Sequence, residues 1–250
     1  MKPGFSPNQK KVLFFDVNQT LVMRTASFED CFKETWKEYT ARLAEGDDSE
    51  WNADHIYRKY RTAWFARSKM KRPGSDKQEL QEKALREAVQ DTGMAVSKTF
   101  ARAFFSQVRQ KQMGGRALYP GVNETLAALA PRYRLAIISN SRREEVAEVM
   151  RHLGLSAYFP EEIWFTASRP RDKKPNAHLF KEAMKALGAA AAECVMIGNS
   201  YRHDVCGAWK AGIDAIWVQR TAPKKVPAPA RGRKKLTIVR QLDELLEWFT

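Results

Sequence analysis

An α/β fold on a doubly wound parallel sheet, interrupted early by a block of helices, is what the sequence predicts. Three observations predict it. From about residue 116 onward, short apolar runs alternate with stretches of helical periodicity, the rhythm of a parallel sheet with crossover helices. The run Val12-Leu13-Phe14-Phe15 near the start has the unbroken apolar character of a strand buried on both faces and ends in Asp16. Between residues 23 and 115 the texture changes to i, i+3, i+4 stripes with no strand signal. The expected organisation is therefore a core from 1–22 and 116–250, with a helical insertion over 23–115.

Met1 to Lys10 reads as a loose tail, and Lys11 to Phe15 as the first strand. In the insertion, Phe28, Cys31, Phe32, Thr35, Trp36 and Tyr39 form one stripe. Ile56, Tyr60, Trp64 and Phe65 form a second. Leu80, Ala84, Leu85, Ala88 and Val89 form a third, and Phe100, Phe104 and Val108 a fourth. Breaks are expected at Gly46–Ser49, Arg72–Ser75 and Asp91–Gly93. Ser27 and either Ser75 or Asp76 suit N-cap positions. After the Tyr119-Pro120-Gly121 turn come a helix over 122–130, a strand over 133–138 ending at Ser139-Asn140-Ser141, and a helix over 142–153 closed by Gly154. A short strand at 163–167 and a helix at 177–187 closed by Gly188 follow. Next come a strand at 194–197 ending in Gly198-Asn199-Ser200, a helix at 204–211 closed by Gly212, and a strand at 215–218. A strand at 236–239 and a helix at 242–249 complete the chain.

The composition is that of a globular protein, 44% hydrophobic and 11% aromatic. No apolar run approaches the roughly 20 residues needed to cross a bilayer, and the N-terminus lacks the apolar core of a secretion signal. The three scattered cysteines, Cys31, Cys194 and Cys206, suit reduced thiols rather than a disulfide framework or zinc site, so a cytoplasmic protein is expected. The net charge is +14, and half of that excess lies between Arg220 and Lys235, seven basic residues with no acid and three prolines. This segment reads as a solvated loop. No nucleic-acid-binding module accompanies it, so nucleic acid is not an expected partner.

In an open parallel sheet, the carboxyl ends of the strands converge on one edge, where ligands bind. Here those ends carry Asp16, Ser139 and the Asn199–Asp204 pair, and Lys174 opens the helix after the next strand. A carboxylate, a hydroxyl, a cation and a carboxylate–amide pair are the groups that phosphoryl transfer through a covalent carboxylate needs. The carboxylate attacks phosphorus. A Mg²⁺ ion held by oxygen ligands neutralises the phosphoryl oxygens, and the lysine and hydroxyl stabilise them.

The same residues fall into four ordered motifs. These are Asp16-Val17-Asn18-Gln19-Thr20, then Ile137-Ile138-Ser139-Asn140, then Lys174-Pro175-Asn176 before a helix, and Gly198-Asn199 with Asp204 five residues beyond the Asn. Together they resemble the haloacid dehalogenase-like (HAD) hydrolase superfamily, over essentially the whole chain. The resemblance implies a Rossmann-like core with an α-helical cap between the first and second motifs. It implies Asp16 as nucleophile, with Ser139 and Lys174 as the catalytic groups that hold the phosphate. It implies Mg²⁺ held by Asp16, the main-chain carbonyl of Asn18, Asn199 and Asp204, and substrate contacts from Asn18, Thr20 and Asn140.

Two departures carry chemical weight. Asn18 stands where phosphatases of the family have a second Asp as general acid/base, and an amide cannot shuttle the leaving-group proton. Asn199 replaces a further Asp, so Asp16 and Asp204 are the only negative side chains at the implied metal. The expected activity is a Mg²⁺-dependent phosphatase for a small phosphate ester, slowed by these changes. The alternatives are a 2-haloacid dehalogenase-type hydrolase, where the carboxylate attacks carbon and no metal is needed, and a catalytically weak member that binds a phosphorylated ligand or a protein. The spacing of five from Asn199 to Asp204 favours the metal-binding form.

Overall fold

A six-stranded parallel sheet in the order β5-β4-β1-β6-β7-β8 carries the fold. In the computed structural model, which describes residues 3–41, 51–70, 76–221 and 236–250, its elements run as follows. β1 is Val12–Phe15 and β2 Val22–Arg24. Four helices follow: α1 Phe28–Thr40, α2 Ala53–Lys69, α3 Lys77–Ala88 and α4 Lys98–Gly114. β3 is Arg116–Leu118, α5 Val122–Leu129, β4 Arg134–Ser139 and α6 Arg143–His152. β5 is Trp164–Thr166, α7 His178–Leu187, β6 Cys194–Gly198 and α8 Cys206–Ala211. β7 is Asp214–Val218, β8 Leu236–Val239 and α9 Leu246–Phe249. The turns expected at Gly46–Ser49 and Arg72–Ser75, and residues 222–235 of the basic segment, lie outside the described residues. Among the described residues, no helix is long and apolar enough to cross a membrane.

The chain divides into two compact units, residues 1–23 with 117–250, and residues 24–116. In the first, β1 sits at the centre of the sheet, paired to β4 and β6, and all four of its residues are buried. That position explains its continuous apolar run, because a strand covered on both faces has no solvent side to make polar. Val12, Phe14, Ala136, Ile138, Cys194 and Met196 meet Leu179, Phe180 and Ala183 of α7 and Ala208 of α8. Phe15 points to the opposite face and meets the ring of Phe159 edge-on at 5.8 Å. Parallel register sets Phe15 beside both Ile137 and Ile197. The polar residues that follow these three strands therefore emerge at one edge.

Several details differ from the sequence reading. The expected loose tail contains a 3₁₀ turn, Pro7–Gln9, and ends in buried Lys10, whose ammonium lies 2.8 Å from Asp214 Oδ2. The helix expected to begin at Asp204 is preceded by a π-type turn, Tyr201–Val205, and α8 begins only at Cys206. The helix expected over 242–249 begins as a 3₁₀ turn, Asp243–Leu245, and becomes α-helical for its last four residues. β2 and β3, which pair as a two-stranded ribbon, were not expected. Three-residue strands are too short for alternation to register.

The second unit buries its own core. Ser27 begins α1 with a capping box, its side chain accepting from the Asp30 N–H while Asp30 accepts from the Ser27 N–H. Asp76 caps α3. Phe32 stacks on Tyr60, with centroids 4.8 Å apart, and meets Phe104 edge-on at 4.9 Å. The stripe assigned to α2 is corrected at Phe65, which is 60% exposed beneath the Lys69 ammonium. Ile56, Tyr60 and Ala63 are the buried side of that helix. Phe65 lies five residues beyond Tyr60, about 140° around the axis at 3.6 residues per turn.

Candidate active site

Lys174 is the centre of the site. Its ammonium is 2.7 Å from Asp16 Oδ1, 2.7 Å from Asp204 Oδ1 and 2.7 Å from the Ile138 carbonyl oxygen. Those three bonds use all three of its N–H donors. Lys174 is 3% exposed and Asp204 2%. The neighbouring Lys173 is exposed. The Lys174–Pro175 peptide is cis.

Asn140 braces Lys174 through the backbone. Its Oδ1 accepts from the Lys174 N–H at 2.7 Å, and its Nδ2 donates to the Lys174 carbonyl at 3.0 Å. Both polar ends of the Asn140 side chain, expected at the substrate, are thus engaged in fixing the lysine. Gly207 lets the lysine segment and α7 approach, because a Cβ there would lie 2.7 Å from the Phe180 ring and 3.3 Å from Pro175 Cα.

Asp204 reaches the cluster by folding back over its own turn. Its Oδ2 accepts from the Ser200 N–H at 2.8 Å, and Ser200 Oγ accepts from the His203 N–H. Gly198 makes room for this, since a Cβ at that position would stand 2.4 Å from Asp204 Cγ. Thr20 is fully buried and links two motifs. Its hydroxyl accepts from the Asn199 N–H at 3.1 Å. It lies within donor reach of Asp16 Oδ2 (3.2 Å) and of Asn199 Oδ1 (3.3 Å), serving one at a time. The Asn199 carbonyl accepts from the indole N–H of Trp217 at 2.8 Å. Ser139 is 1% exposed, and its Oγ accepts from the Ser141 N–H at 3.2 Å. Asn18 Nδ2 donates to Ser141 Oγ at 3.1 Å, while its buried Oδ1 has no hydrogen-bond partner among the described residues.

The electrostatics follow from burial. Desolvation pushes the Asp16 carboxyl up from 3.8 to about 6; nearby Lys174 opposes this, and the charge of Asp204 adds to it. Burial works against the Lys174 ammonium, yet Asp16 and Asp204 together hold its pKa above the ordinary value. Two carboxylates share one ammonium, so the ionised cluster carries a net charge of about −1 away from water. Oxygen donors that could hold a hard divalent cation gather here, the Asp16 and Asp204 carboxylates and Asn199 Oδ1, and the resemblance adds the main-chain carbonyl of Asn18. The donor chemistry and the unbalanced negative charge both fit Mg²⁺. Among the described residues, no three or more His, Cys, Asp or Glu side chains gather into a metal-binding group. An amide and a backbone carbonyl would have to complete the set.

Trp217 and Arg220 are the contributors that the sequence reading missed. Trp217 reads as one more apolar residue of a strand, and Arg220 as the first charge of a basic run. Neither carries a local signal of its contact, because each partner lies far away in the chain.

A parallel sheet with a buried carboxylate–lysine–carboxylate cluster at the carboxyl ends of its central strands defines an α/β protein of Rossmann-like architecture. The chain belongs to the haloacid dehalogenase-like hydrolases, whose family description matches residues 10–212. It is 35% identical over 101 residues to a glyceraldehyde 3-phosphate phosphatase of Methanothermobacter thermautotrophicus, covering 40% of this chain and 44% of that protein. It is 32% identical over 144 residues to a phosphoserine phosphatase of Thermus thermophilus, covering 56% and 55%. The chain thus spans about half the length of these curated relatives or less. In fold it is similar to a 2-haloacid dehalogenase of Pseudomonas syringae, with a TM-score of 0.60 at 22% identity over 95% of this chain and 97% of that one. It is also similar to the magnesium-bound HAD-hydrolase YfnB of Bacillus subtilis, with a TM-score of 0.59 at 18% identity over 96% and 98%.

Proposed function

We propose that this chain is a Mg²⁺-dependent phosphatase that hydrolyses a small phosphate ester through phosphorylation of Asp16. The observation that carries the reading is the Lys174 ammonium, buried and 2.7 Å from both Asp16 and Asp204 at the ligand-binding edge of the sheet. The phosphatase names of the sequence relatives support the reaction class.

Asp16 is fixed as a nucleophile. Lys174 holds one carboxylate oxygen and Thr20 lies within reach of the other, so its rotation is restricted before substrate arrives. A carboxylate oxygen attacks phosphorus, and the P–O bond to the leaving group breaks with its electron pair. Ser139, oriented by the Ser141 N–H, keeps its own O–H proton for a phosphoryl oxygen. Mg²⁺, when bound among Asp16, Asn18, Asn199 and Asp204, supplies charge neutralisation to the phosphoryl oxygens. Asn18 has no acidic proton to give, so the departing oxygen takes its proton from water. Water then attacks the phosphoryl group on Asp16, which releases inorganic phosphate and restores the carboxylate. The missing acid makes esters of acidic alcohols the better substrates.

The test is hydrolysis of an aryl phosphate with and without Mg²⁺, by wild type and by Asp16→Asn. Turnover that needs Mg²⁺ and is lost in Asp16→Asn is expected. No turnover by folded wild type overturns the reading, and metal-independent release of halide from 2-haloacids would put the dehalogenase in its place.

A further inference from the structure

The loop after β1 carries a contact that no catalytic motif accounts for. The guanidinium of Arg220, just beyond the end of β7, donates to the Gln19 carbonyl at 2.6 Å and to the Thr20 carbonyl at 2.8 Å. The same group lies flat over the Tyr119 ring, 3.2 Å from its centroid. The Tyr119 hydroxyl donates to Gln19 Oε1 at 2.9 Å, and its N–H donates to the Leu21 carbonyl at 3.0 Å. Gln19 is held at φ +62°, the one non-glycine residue with positive φ among those described. A side chain in that region is disfavoured unless its surroundings hold it there. Gln19 is itself exposed, so packing does not supply the hold. Backbone bonds within the loop, the Gln19 N–H to the Val22 carbonyl at 2.7 Å among them, share the hold with Arg220 and Tyr119.

We propose that Arg220 is a positioning residue. Bridging two consecutive carbonyls and stacked on Tyr119, it locks the 17–22 loop in the conformation that presents Asn18 to the site and keeps Thr20 beneath Asp16. The peptide between Asn18 and Gln19 lies one unit before the clamped carbonyls. Its orientation decides where the Asn18 carbonyl, an implied metal ligand, points. A guanidinium suits the task because it is planar and can stack and bridge two acceptors at once. A lysine ammonium at the same place can donate to a carbonyl but cannot reproduce the stacked fork. The catalytic consequence rests on the phosphatase reading above; the ordering of the loop does not.

Hydrogen exchange on the full chain tests the ordering directly. The amides of Gln19, Thr20, Leu21 and Val22 are all bonded within the loop. In Arg220→Met they are expected to exchange about tenfold faster or more, with the amides of β1 and β6 unchanged. Tyr119→Leu should reproduce part of that change, and serves if Arg220→Met does not fold. With an aryl phosphate, Arg220→Met is expected to raise the Mg²⁺ concentration for half-maximal rate and lower kcat by about tenfold each, with a much smaller change in substrate KM. Arg220→Lys should recover only part of both. Unchanged exchange in the 17–22 loop in a folded variant overturns the clamp. Faster exchange with wild-type kcat and Mg²⁺ dependence overturns its positioning role. If wild type itself hydrolyses nothing, the phosphatase reading fails and the exchange result still decides the clamp.

Discussion

Asp16→Asn should stabilise the metal-free protein, and the gain should depend on pH. Burial raises the Asp16 carboxyl from 3.8 to about 6, despite the ammonium beside it. Its ionised form is therefore less favourable in the folded chain than in the unfolded one. At about 1.4 kcal/mol per pH unit, a shift of about two units amounts to about 3 kcal/mol. Because the folded value is the higher one, folding binds a proton. The protein is most stable, from this group's standpoint, below pH 3.8, and that stability drains away as pH rises to about 6. Above that the full penalty applies. An amide at position 16 escapes it and keeps the geometry. Its oxygen accepts from Lys174, and its N–H₂ meets Thr20, whose hydroxyl turns to donate to Asn199. Thermal unfolding in chelator should thus show Asp16→Asn melting several degrees higher at pH 8, roughly 2–4 °C for each kcal/mol in a chain of this size. The difference should shrink toward zero near pH 4. Added Mg²⁺ should reverse the order, because it stabilises only the variant with both carboxylates. A variant that melts lower than wild type by the same amount at every pH would refute the account of the cluster as under-neutralised.

Three other perturbations probe the same geometry. Lys174→Met leaves the buried carboxylates of Asp16 and Asp204 without their shared cation, and should lower stability to urea by roughly 3–5 kcal/mol at neutral pH, with Mg²⁺ restoring part of it. Asn18→Asp supplies the missing acid, and should raise the ratio of alkyl to aryl phosphate turnover by ~10²–10⁴; an unchanged ratio would mean that proton delivery to the leaving group is not what limits the wild type. Gly198→Ala places a methyl 2.4 Å from Asp204 Cγ; it should lower stability by roughly 1–3 kcal/mol and weaken Mg²⁺ dependence by moving Asp204, measured as Tm and half-saturation.

The sheet was legible because parallel strands buried on both faces read as uninterrupted apolar runs, as in Val12–Phe15, and because glycines such as Gly154 and Gly188 mark helix ends. The polar strand ends were legible for the same reason: Asp16 and Ser139 stand where an apolar run stops. What the sequence could not convey was how these groups meet. The spacing of Asn199 and Asp204 suggests a helix start, but the observed π-type turn depends on Asp204 accepting from the Ser200 N–H and on the missing Cβ of Gly198. Asn140 follows Ser139 directly and looks like a ligand contact, yet its amide is matched to the peptide of Lys174, 34 residues away. Arg220 meets Gln19 across 201 residues. Contacts of that span leave no periodicity in either partner.

Asn199 changes the charge of the site more than its shape. Asn199 is held by its main chain, with its N–H on Thr20 and its carbonyl under Trp217, so an acid at that position would find the same scaffold. What changes is the sum. Asp16, Asp204 and Lys174 together carry about −1, and a third carboxylate would make it about −2. With a divalent cation bound the cluster becomes about +1 rather than neutral. On the proposed reading, the substitution that weakens the hold on the metal would also leave a more positive seat for a phosphate dianion. Asn18 adds nothing to that balance. Its N–H₂ is turned to Ser141, its buried oxygen meets no donor among the described residues, and an amide is neither acid nor counter-charge. On the proposed reading, the chain would separate two demands that an all-carboxylate site combines. Holding the anionic phosphoryl group would then fall to Ser139 and the cation, because all three donors of Lys174 are engaged. Protonating the leaving oxygen would fall to solvent, and the choice of leaving group is where the cost of Asn18 should be read.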